Sequence, residues 1–466
     1  MTAAAPRFTH QEILSATGAQ ASGTSAAAFE GLSTDSRTAA PGTLFVALRG
    51  ERFDGHQFLA EVAVRGARGA VVQTGHPRSQ VPEDFSLYEV FDTLVALGSL
   101  ARWHRRRFRM PVGAVGGSNG KTTTKEMVGS ILAVRGPSLK TEGNLNNEVG
   151  LPLTLLRLAP EHVAAVVEMG MNHPGEMGRL CAIAEPEAAL LTTIQPEHLE
   201  GLGSLEGVAA AEGELFAGLG PTATAVVNLD DPHIVAQSKR ACGPRRLTFG
   251  RSPSAEVRLL DSRVRGRNGV ELSLAAAGRE WSLTLGFVGA HNALNATGAF
   301  ALGLSLGYGP EECVAGLAAA RPYARRLNVS ETPGGWTVVD DCYNANPASM
   351  AAALQTAQSL AAGGRVVAVL GDMLELGPDE LREHTALGGQ VAQVASLAAF
   401  FGPRSSQALA AARGIEAAHF EAIEPLWEWL LPRLRSGDVV LVKGSRGMRL
   451  ERVVEKLTGV TASGGH

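Results

Sequence analysis

The segment PVGAVGGSNGKTTTKEMVGSILAV, from Pro111 to Val134, passes through a short apolar run, a glycine-rich turn and an amphipathic run. PVGAV reads as a buried strand. KTTTKEMVGSILAV reads as a helix, with Met127, Val128, Ile131 and Leu132 on one stripe. The turn between them holds Gly117, Ser118, Asn119, Gly120, Lys121, Thr122 and Thr123. Glycine lets a polyphosphate approach the backbone closely, and the N–H groups of the first helical turn point towards it. Lys121 can reach the β and γ phosphates of a nucleoside triphosphate, and the Thr122 hydroxyl can bind Mg2+. The full G-x-x-x-x-G-K-[ST] spacing is not met, because Val115 stands where the first glycine would be. The order strand, loop, helix still favours a phosphate loop over an ordinary glycine turn. Such a loop names no reaction, since GTPases, kinases, motors and ligases all use it.

The same texture continues along the chain. HVAAVVEMG, EAALLTTI and TATAVVNLDD are apolar runs ending in polar residues, as parallel strands buried on both faces do. Functional groups of such a sheet collect at the carboxyl ends of its strands, which singles out Glu168 and His198. A carboxylate there can complete a Mg2+ shell, and a neutral imidazole can hold a second metal. Asn228-Leu229-Asp230-Asp231 has the outline of a guanine-reading N-K-x-D, but Leu229 replaces the lysine and a polar strand end is the plainer reading. Residues 246 to 288 alternate polar and apolar, which predicts antiparallel strands, and HNALNATGAFALGL predicts a helix. A second α/β series begins near Arg321 with GGWTVVDDCYNANP, GRVVAVLGDMLELG and GDVVLVKGSRG. Before Pro111, GTLFVALRG and GARGAVVQT are short strands among turns, and the basic cluster RWHRRRFRM reads as a solvated helix end. These shifts predict three α/β domains, at 1–105, 106–320 and 321–466, in keeping with ~150 residues per domain. The tail GVTASGGH is expected to fray.

Composition narrows the class. Lys and Arg number 42 against 46 Asp and Glu, a net charge of −4, which argues against a nucleic-acid partner. With 45% hydrophobic and 19% charged residues the chain has enough apolar side chains for real cores. Abundant glycine (55) and scarce aromatics (5%) favour an α/β protein over a β-sandwich. Cys181, Cys242, Cys313 and Cys342 form no C-x-x-C pair, so neither a disulfide framework nor a zinc site is expected, and a reducing cytoplasm is the natural compartment. MTAAAPRFTHQEIL has no apolar signal-peptide core, and Thr9 with Glu12 forms a capping box. From Trp281 to Pro310 there is no Asp, Glu, Lys or Arg, long enough for the ~20 residues of a membrane span. His291, Asn292, Asn295 and two glycines interrupt it, and a packed strand and helix fit better.

Ten segments, STDSR, PGTLFVALRGERFDGHQF, GGSNGKTTTKEM, TEGNLNNEVGLPLTLL, VVEMGMNHPGEMGRL, PEHLEGLGSLEGVA, GAHNALNA, DDCYNANPASM, LGDMLELG and VKGSRG, run in this order from Ser33 to Gly447. Together they resemble the Mur ligases of bacterial peptidoglycan synthesis. The resemblance implies an N-terminal domain for a uridine nucleotide, a central P-loop ATPase with a parallel sheet, and a C-terminal Rossmann-like domain. It implies an ATP-dependent ligase in which a substrate carboxylate attacks the γ-phosphate and an amine then displaces phosphate from the acyl phosphate. LNNEVGLPLTLL and LGDMLELG are most similar to the branch that adds D-alanyl-D-alanine to UDP-N-acetylmuramoyl-tripeptide, with ATP and Mg2+, as a cytoplasmic monomer. Carried over by position, Lys121 neutralises the transferring phosphate, Thr122 and Glu168 hold a first Mg2+, and His198 holds a second. Asn292 and Asn295 match the adenine contact region, Arg326 and Asp341 lie towards the ribose and phosphates, and Ser36, Arg37, Asn144, Asn146 and Asn147 match the UDP-sugar side. Taken singly, the same residues read as helix caps, polar packing and Asx-type turns.

Two departures stand out. The usual P-G-R or G-x-R is Ala324-Arg325-Arg326, which leaves open which arginine serves. Glu212, in GVAAAEGELF, stands where the family normally has a CO2-carbamylated lysine. A carbamate is a carboxylate-like anion on a long stem, so Glu212 is expected to supply that charge beside His198. Its plainer reading is a solvated helix surface shared with Glu206 and Glu214. The competing functions are a sister Mur ligase or a folylpolyglutamate synthase adding a single amino acid, and a nucleotide-binding pseudo-ligase scaffold. Retention of Lys121, Thr122, Glu168 and His198 argues against the scaffold.

Overall fold

Runs of Val, Ala and Leu become strands buried along their whole length, as at Val112–Gly116, Ala164–Glu168, Ala188–Leu191, Thr224–Asn228, Val366–Gly371 and Val439–Lys443. The computed structural model describes residues 6–23, 28–50, 53–77, 81–241 and 245–459, so Cys242 and the tail beyond Gly459 lie outside the described residues. Two compact units result. The first gathers the chain up to Val112 with Gly136–Met169 and Gly178–Pro186; the second gathers Gly113–Arg135, Gly170–Met177 and the chain from Glu187.

In the first unit Leu32–Ser33, Leu44–Val46, Gly69–Gln73 and Ser86–Val90 pair in parallel, and Gln20–Ser22 closes that sheet antiparallel. Ala164–Glu168 pairs in parallel with Ser138–Lys140. The Thr9 capping box is formed, with Glu12 N–H donating to Thr9 Oγ1 at 3.3 Å and Thr9 N–H to Glu12 Oε2 at 2.8 Å. The basic cluster is solvated only in part: Arg106, Arg107 and Arg109 are exposed. His104 and Arg105 are buried in the helix Thr93–Arg105, and Arg105 donates to the carbonyls of Phe108 and Ala184 at 2.9 and 3.2 Å. Arg106 and Arg102 both grip Glu185 and hold its carboxyl down to about 2. Cations are favourable against helix C-terminal carbonyls, and the cluster therefore packs on the end of Glu176–Ala184.

In the second unit Val112–Gly116, Ala188–Leu191, Thr224–Asn228 and Arg245–Gly250 are successive parallel neighbours. This corrects the expectation for residues 246 to 288: only Val257–Val264, Val270–Ala276 and Arg279–Leu285 form an antiparallel meander. Arg245–Gly250 is parallel because it follows a crossover helix, Pro232–Ser238, rather than a hairpin. Trp281 to Pro310 forms strand and helix, Asn292–Ser305, and no helix among the described residues is long and apolar enough to cross a membrane.

The C-terminal part is a six-stranded sheet in the order Asn328–Glu331, Thr337–Asp341, Val439–Lys443, Val366–Gly371, Leu397–Phe401, Glu416–Phe420, parallel except for the first pair. Alternate residues feed two cores. Val339, Ala368, Leu370, Phe400 and Leu441 face one way, and Val338, Val367, Val369, Ala399 and Val440 face the other. A period of two with both faces covered is what a doubly wound sheet requires.

The phosphate-loop helix Lys121–Leu132 meets Asn292–Ser305 and Pro310–Ala319 around Ile131. A Cβ on Gly316 would lie 2.4 Å from Ile131 Cα, so the two helices touch backbone to backbone there. Gly316→Ala must push them apart and is expected to cost about 1–3 kcal/mol, the range for overpacking. Gly389→Ala, in a helix with nothing within 4 Å, is the control and should be neutral or slightly stabilising. Thermal midpoints of the two variants check this; equal midpoints would contradict the close contact.

Candidate active site

The loop after Val112–Gly116 is bound to the end of the neighbouring strand rather than left open. Gly117 has φ +109, and a Cβ there would lie 2.4 Å from Thr192 Oγ1 and 2.7 Å from Thr192 N, so no other residue fits. Ser118 N–H donates to Thr193 O at 2.7 Å, and Ser118 Oγ accepts from Gln195 N–H at 2.9 Å. Asn119 Nδ2 donates to Gln195 Oε1 at 2.6 Å. Gly120 (φ +85) sits so close to Asn295 that its Cβ would be 2.7 Å from Asn295 Oδ1. Asn295 in turn donates to Asn292 Oδ1 at 2.9 Å, and Asn292 donates to Val288 O at 2.7 Å. The adenine-region pair is therefore packed beside the phosphate loop, as well as serving local polar packing.

Lys121 and Thr122 open the helix, with Thr122 buried and Thr123 partly exposed. Lys121 Nζ donates to Ser118 O at 3.3 Å and lies 3.6 Å from Glu197 Oε1. Glu212, the last residue of Leu205–Glu212, overturns its helix-surface reading: it is fully buried and its Oε2 accepts the Gly117 N–H at 2.8 Å. The helix turns that end inward because Val208, Ala209 and Ala211 are its buried face. Burial pushes Glu212 up to about 7 against the pull of Lys121, and burial raises Glu197 in the same way.

His198 holds a left-handed backbone, φ +50, immediately after Glu197. Its Nδ1 lies 2.6 Å from Glu375 Oε2 and its Nε2 3.9 Å from Glu197 Oε2. Burial works to lower the imidazole pKa, but the Glu375 and Glu197 carboxylates overcome it and leave the ring above its ordinary value.

The C-terminal part sends two further groups to the loop, Arg326 and Asn346. Arg326 Nη2 donates to Thr122 Oγ1 at 3.3 Å, with its guanidinium 4.1 Å from the centre of the Tyr343 ring. Arg325 instead turns to Glu451 at 3.3 Å, so Arg326 is the arginine at the phosphate loop. Asn119 and Asn346 exchange side-chain hydrogen bonds at 3.3 and 3.0 Å. Asp341 ends a strand rather than sitting in a turn; its Oδ2 accepts from buried Lys443 at 2.7 Å and its Oδ1 from Leu327 N–H at 3.2 Å. Glu197, Glu375, Asn346 and Lys443 were not singled out by the sequence. All four lie inside the segments PEHLEG, LGDMLELG, DDCYNANP and VKGSRG, which were the available signal.

In the first unit, Glu168 Oε1 accepts from Asn146 Nδ2 at 2.9 Å and its backbone N–H donates to Thr141 Oγ1 at 2.9 Å. Asn147 Oδ1 accepts from Gly150 N–H at 2.8 Å, at the start of Gly150–Leu155, and Asn144 O accepts from Asn146 N–H at 2.8 Å. Ser36 and Arg37 lie in a turn closed by Thr38 N–H to Asp35 O at 3.1 Å. Asp35 bonds both the backbone and guanidinium of Arg37, which lowers its carboxyl to about 2.

Hard oxygen donors suit Mg2+, and in the second unit one buried Oε atom each of Glu197 and Glu212 has no hydrogen-bond partner; in the first unit the same holds for Glu168 Oε2. Among the described residues no three His, Cys, Asp or Glu side chains converge into a full cage.

Three families match in chain order: "Mur ligase family, catalytic domain" over residues 28–102, "Mur ligase middle domain" over 115–303, and "Mur ligase, glutamate ligase domain" over 325–446. The UDP-N-acetylmuramoyl-tripeptide–D-alanyl-D-alanine ligase of Escherichia coli is 37% identical over 92% of this chain and 93% of its own. A MurF crystal structure from Acinetobacter baumannii superposes with TM-score 0.90 at 32% identity, covering 98% of this chain and 100% of that one. The MurF ligase of Thermotoga maritima, solved in complex with ADP, gives TM-score 0.81 at 30% identity over 91% and 96%. With the phosphate loop, its buried acids and three matching domains in order, the chain belongs to the Mur ligase family.

Proposed function

We propose that this chain is the ATP-dependent ligase that joins D-alanyl-D-alanine to UDP-N-acetylmuramoyl-tripeptide in cytoplasmic peptidoglycan precursor synthesis. The observation that carries the reading is the convergence of Lys121, Thr122 and Arg326 on one loop, in a chain 37% identical over 92% of its length to a ligase of that name. A resonance-stabilised carboxylate is a poor electrophile. Phosphorylation by ATP makes phosphate its leaving group, and the dipeptide amine then attacks the carbonyl carbon. Little covalent work falls to side chains, so the chain's part is positioning and charge.

In this reading Gly117, Ser118, Asn119, Gly120 and Thr123 cradle the phosphates, and Lys121 and Arg326 spread the charge that grows on the transferring group. Asn292 and Asn295 lie towards the adenine, and Asp341, held by Lys443, lies towards the ribose. Ser36, Arg37, Asn144, Asn146 and Asn147 are the substrate-side candidates. Thr122, Glu168 and His198 are the groups that would hold Mg2+, which when bound neutralises phosphate charge and polarises the P–O bonds. Glu212 supplies, without CO2, the anion that relatives make by carbamylating lysine. Domain bounds of 1–105, 106–320 and 321–466, and a monomer, complete the reading. A single-amino-acid ligase or folylpolyglutamate synthase is not favoured.

Phosphate release should require both the UDP-linked tripeptide and D-alanyl-D-alanine, because the acyl phosphate stalls without an amine. Equal release with ATP alone would contradict ligase function. Lys121→Ala should lower turnover by about 10²–10³-fold, as removal of one preorganised charge contact does. Near-wild-type turnover at saturating ATP would remove Lys121 from the mechanism. Glu212→Ala should lose most turnover and still bind ATP, and wild-type activity should be indifferent to bicarbonate removal. A bicarbonate requirement in the wild type, or normal turnover in Glu212→Ala, would contradict the built-in carboxylate.

A further inference from the structure

His198 and Glu375 face each other with left-handed backbones, φ +50 and φ +66. Residues other than glycine rarely hold that conformation, and those that do cluster at functional sites. The contact between them, His198 Nδ1 to Glu375 Oε2, is 2.6 Å. The loop carrying Glu375 is seated on the His198 turn by more than this bond. Gly377 (φ +58) lies beside Leu199 and Glu200, where an added Cβ would make ordinary van der Waals contact with Glu200 N at 3.5 Å.

An ionised carboxylate only accepts hydrogen bonds, so the proton in this contact sits on Nδ1, and whenever the ring is neutral it is Nε2 that carries the lone pair. Nε2 is the nitrogen on the side of Glu197, 3.9 Å from its Oε2, and Glu197 in turn stands 3.6 Å from Lys121. We propose that Glu375 is the positioning residue of His198, fixing its tautomer and ring plane so that Nε2 is presented to a divalent cation beside the phosphate loop. Carboxylates behind ligating histidines have this effect generally. Here the carboxylate comes from the C-terminal domain and the histidine from the central one. The cation site is therefore complete only with the loop Leu374–Gly377 seated on the His198 turn, which ties nucleotide chemistry to the placement of the ligase domain. The proposal rests on the reading of His198 as a metal ligand.

The competing view is an exposed ion pair of little consequence, since such pairs contribute little by themselves. The full-length chain with β,γ-methylene-ATP and Mn2+ as the probe, read by electron paramagnetic resonance, separates the two. Glu375→Leu should weaken one of two Mn2+ classes by about 10–100-fold and leave the other unchanged. Glu375→Gln, which keeps an acceptor of the same shape without the charge, should fall between. Without metal, and at a pH where the ring is neutral, long-range 15N NMR of histidine-labelled protein should show the Nδ1–H tautomer of His198 in the wild type and a mixture in Glu375→Leu. If His198→Ala loses a Mn2+ class but both Glu375 variants bind as wild type, the positioning role is overturned and His198 remains a ligand. If His198→Ala keeps both classes, the metal reading of His198 fails and the proposal falls with it. Thermal midpoints verify folding. Should Glu375→Leu unfold, wild-type Mn2+ binding and tautomer in Glu375→Gln overturn the proposal alone.

Discussion

The close approach of Gly117 to Thr192 is the constraint on which the site depends. At 2.4 Å from Thr192 Oγ1 there is no room for a Cβ, and φ +109 excludes other residues independently. That approach places the loop against the carboxyl end of Ala188–Leu191 and lets Ser118 and Asn119 bond Thr193 and Gln195. With the loop fixed, Lys121 is delivered to Glu197, Thr122 to Arg326, and Gly120 to Asn295. Each of those contacts comes from a different segment of the chain, and none could form around a loop free to move.

The electrostatics follow from burial. Taking ions out of water costs several kcal/mol each unless partners compensate. Glu197 and Glu212 are both buried near a single ammonium, Lys121, and each keeps an oxygen with no hydrogen bond. Loss of solvation outweighs the pull of Lys121 and His198, and both carboxyls are raised. Asp341 and Lys443 are instead a one-to-one buried pair 2.7 Å apart, supported by Leu327 N–H on Asp341 and by Asn344 O on Lys443. That pair joins two strand ends, Thr337–Asp341 and Val439–Lys443, in register.

Much of this was legible in the sequence because its signals are local. Val112–Gly116 and Lys121–Leu132 follow from apolar runs around a glycine turn, and Thr9 with Glu12 from capping spacing. What was not legible depends on pairing across the chain. Nothing local distinguishes Arg245–Gly250 as a parallel strand from the antiparallel meander after it, since alternation is the same in both. The basic run around Arg105 looks solvated until Glu185 and the Ala184 carbonyl arrive from about eighty residues away. Glu212 resembles a surface residue because Glu206 and Glu214 flank it, and only the inward turn of its helix end separates it from them. The choice between Arg325 and Arg326 needed Thr122 and Glu451 in place.

The central claim is that ATP activates a carboxylate as an acyl phosphate, which an amine then opens. Tripeptide substrate labelled with 18O in both oxygens of its terminal carboxylate tests it directly. One labelled oxygen becomes the bridge to phosphorus and leaves with it when the amine attacks carbon. Mass spectrometry of the inorganic phosphate released during turnover should therefore show one 18O per phosphate, with ADP as the other product. Unlabelled phosphate would mean that water, not the carboxylate, receives the γ-phosphoryl group, and would contradict the account.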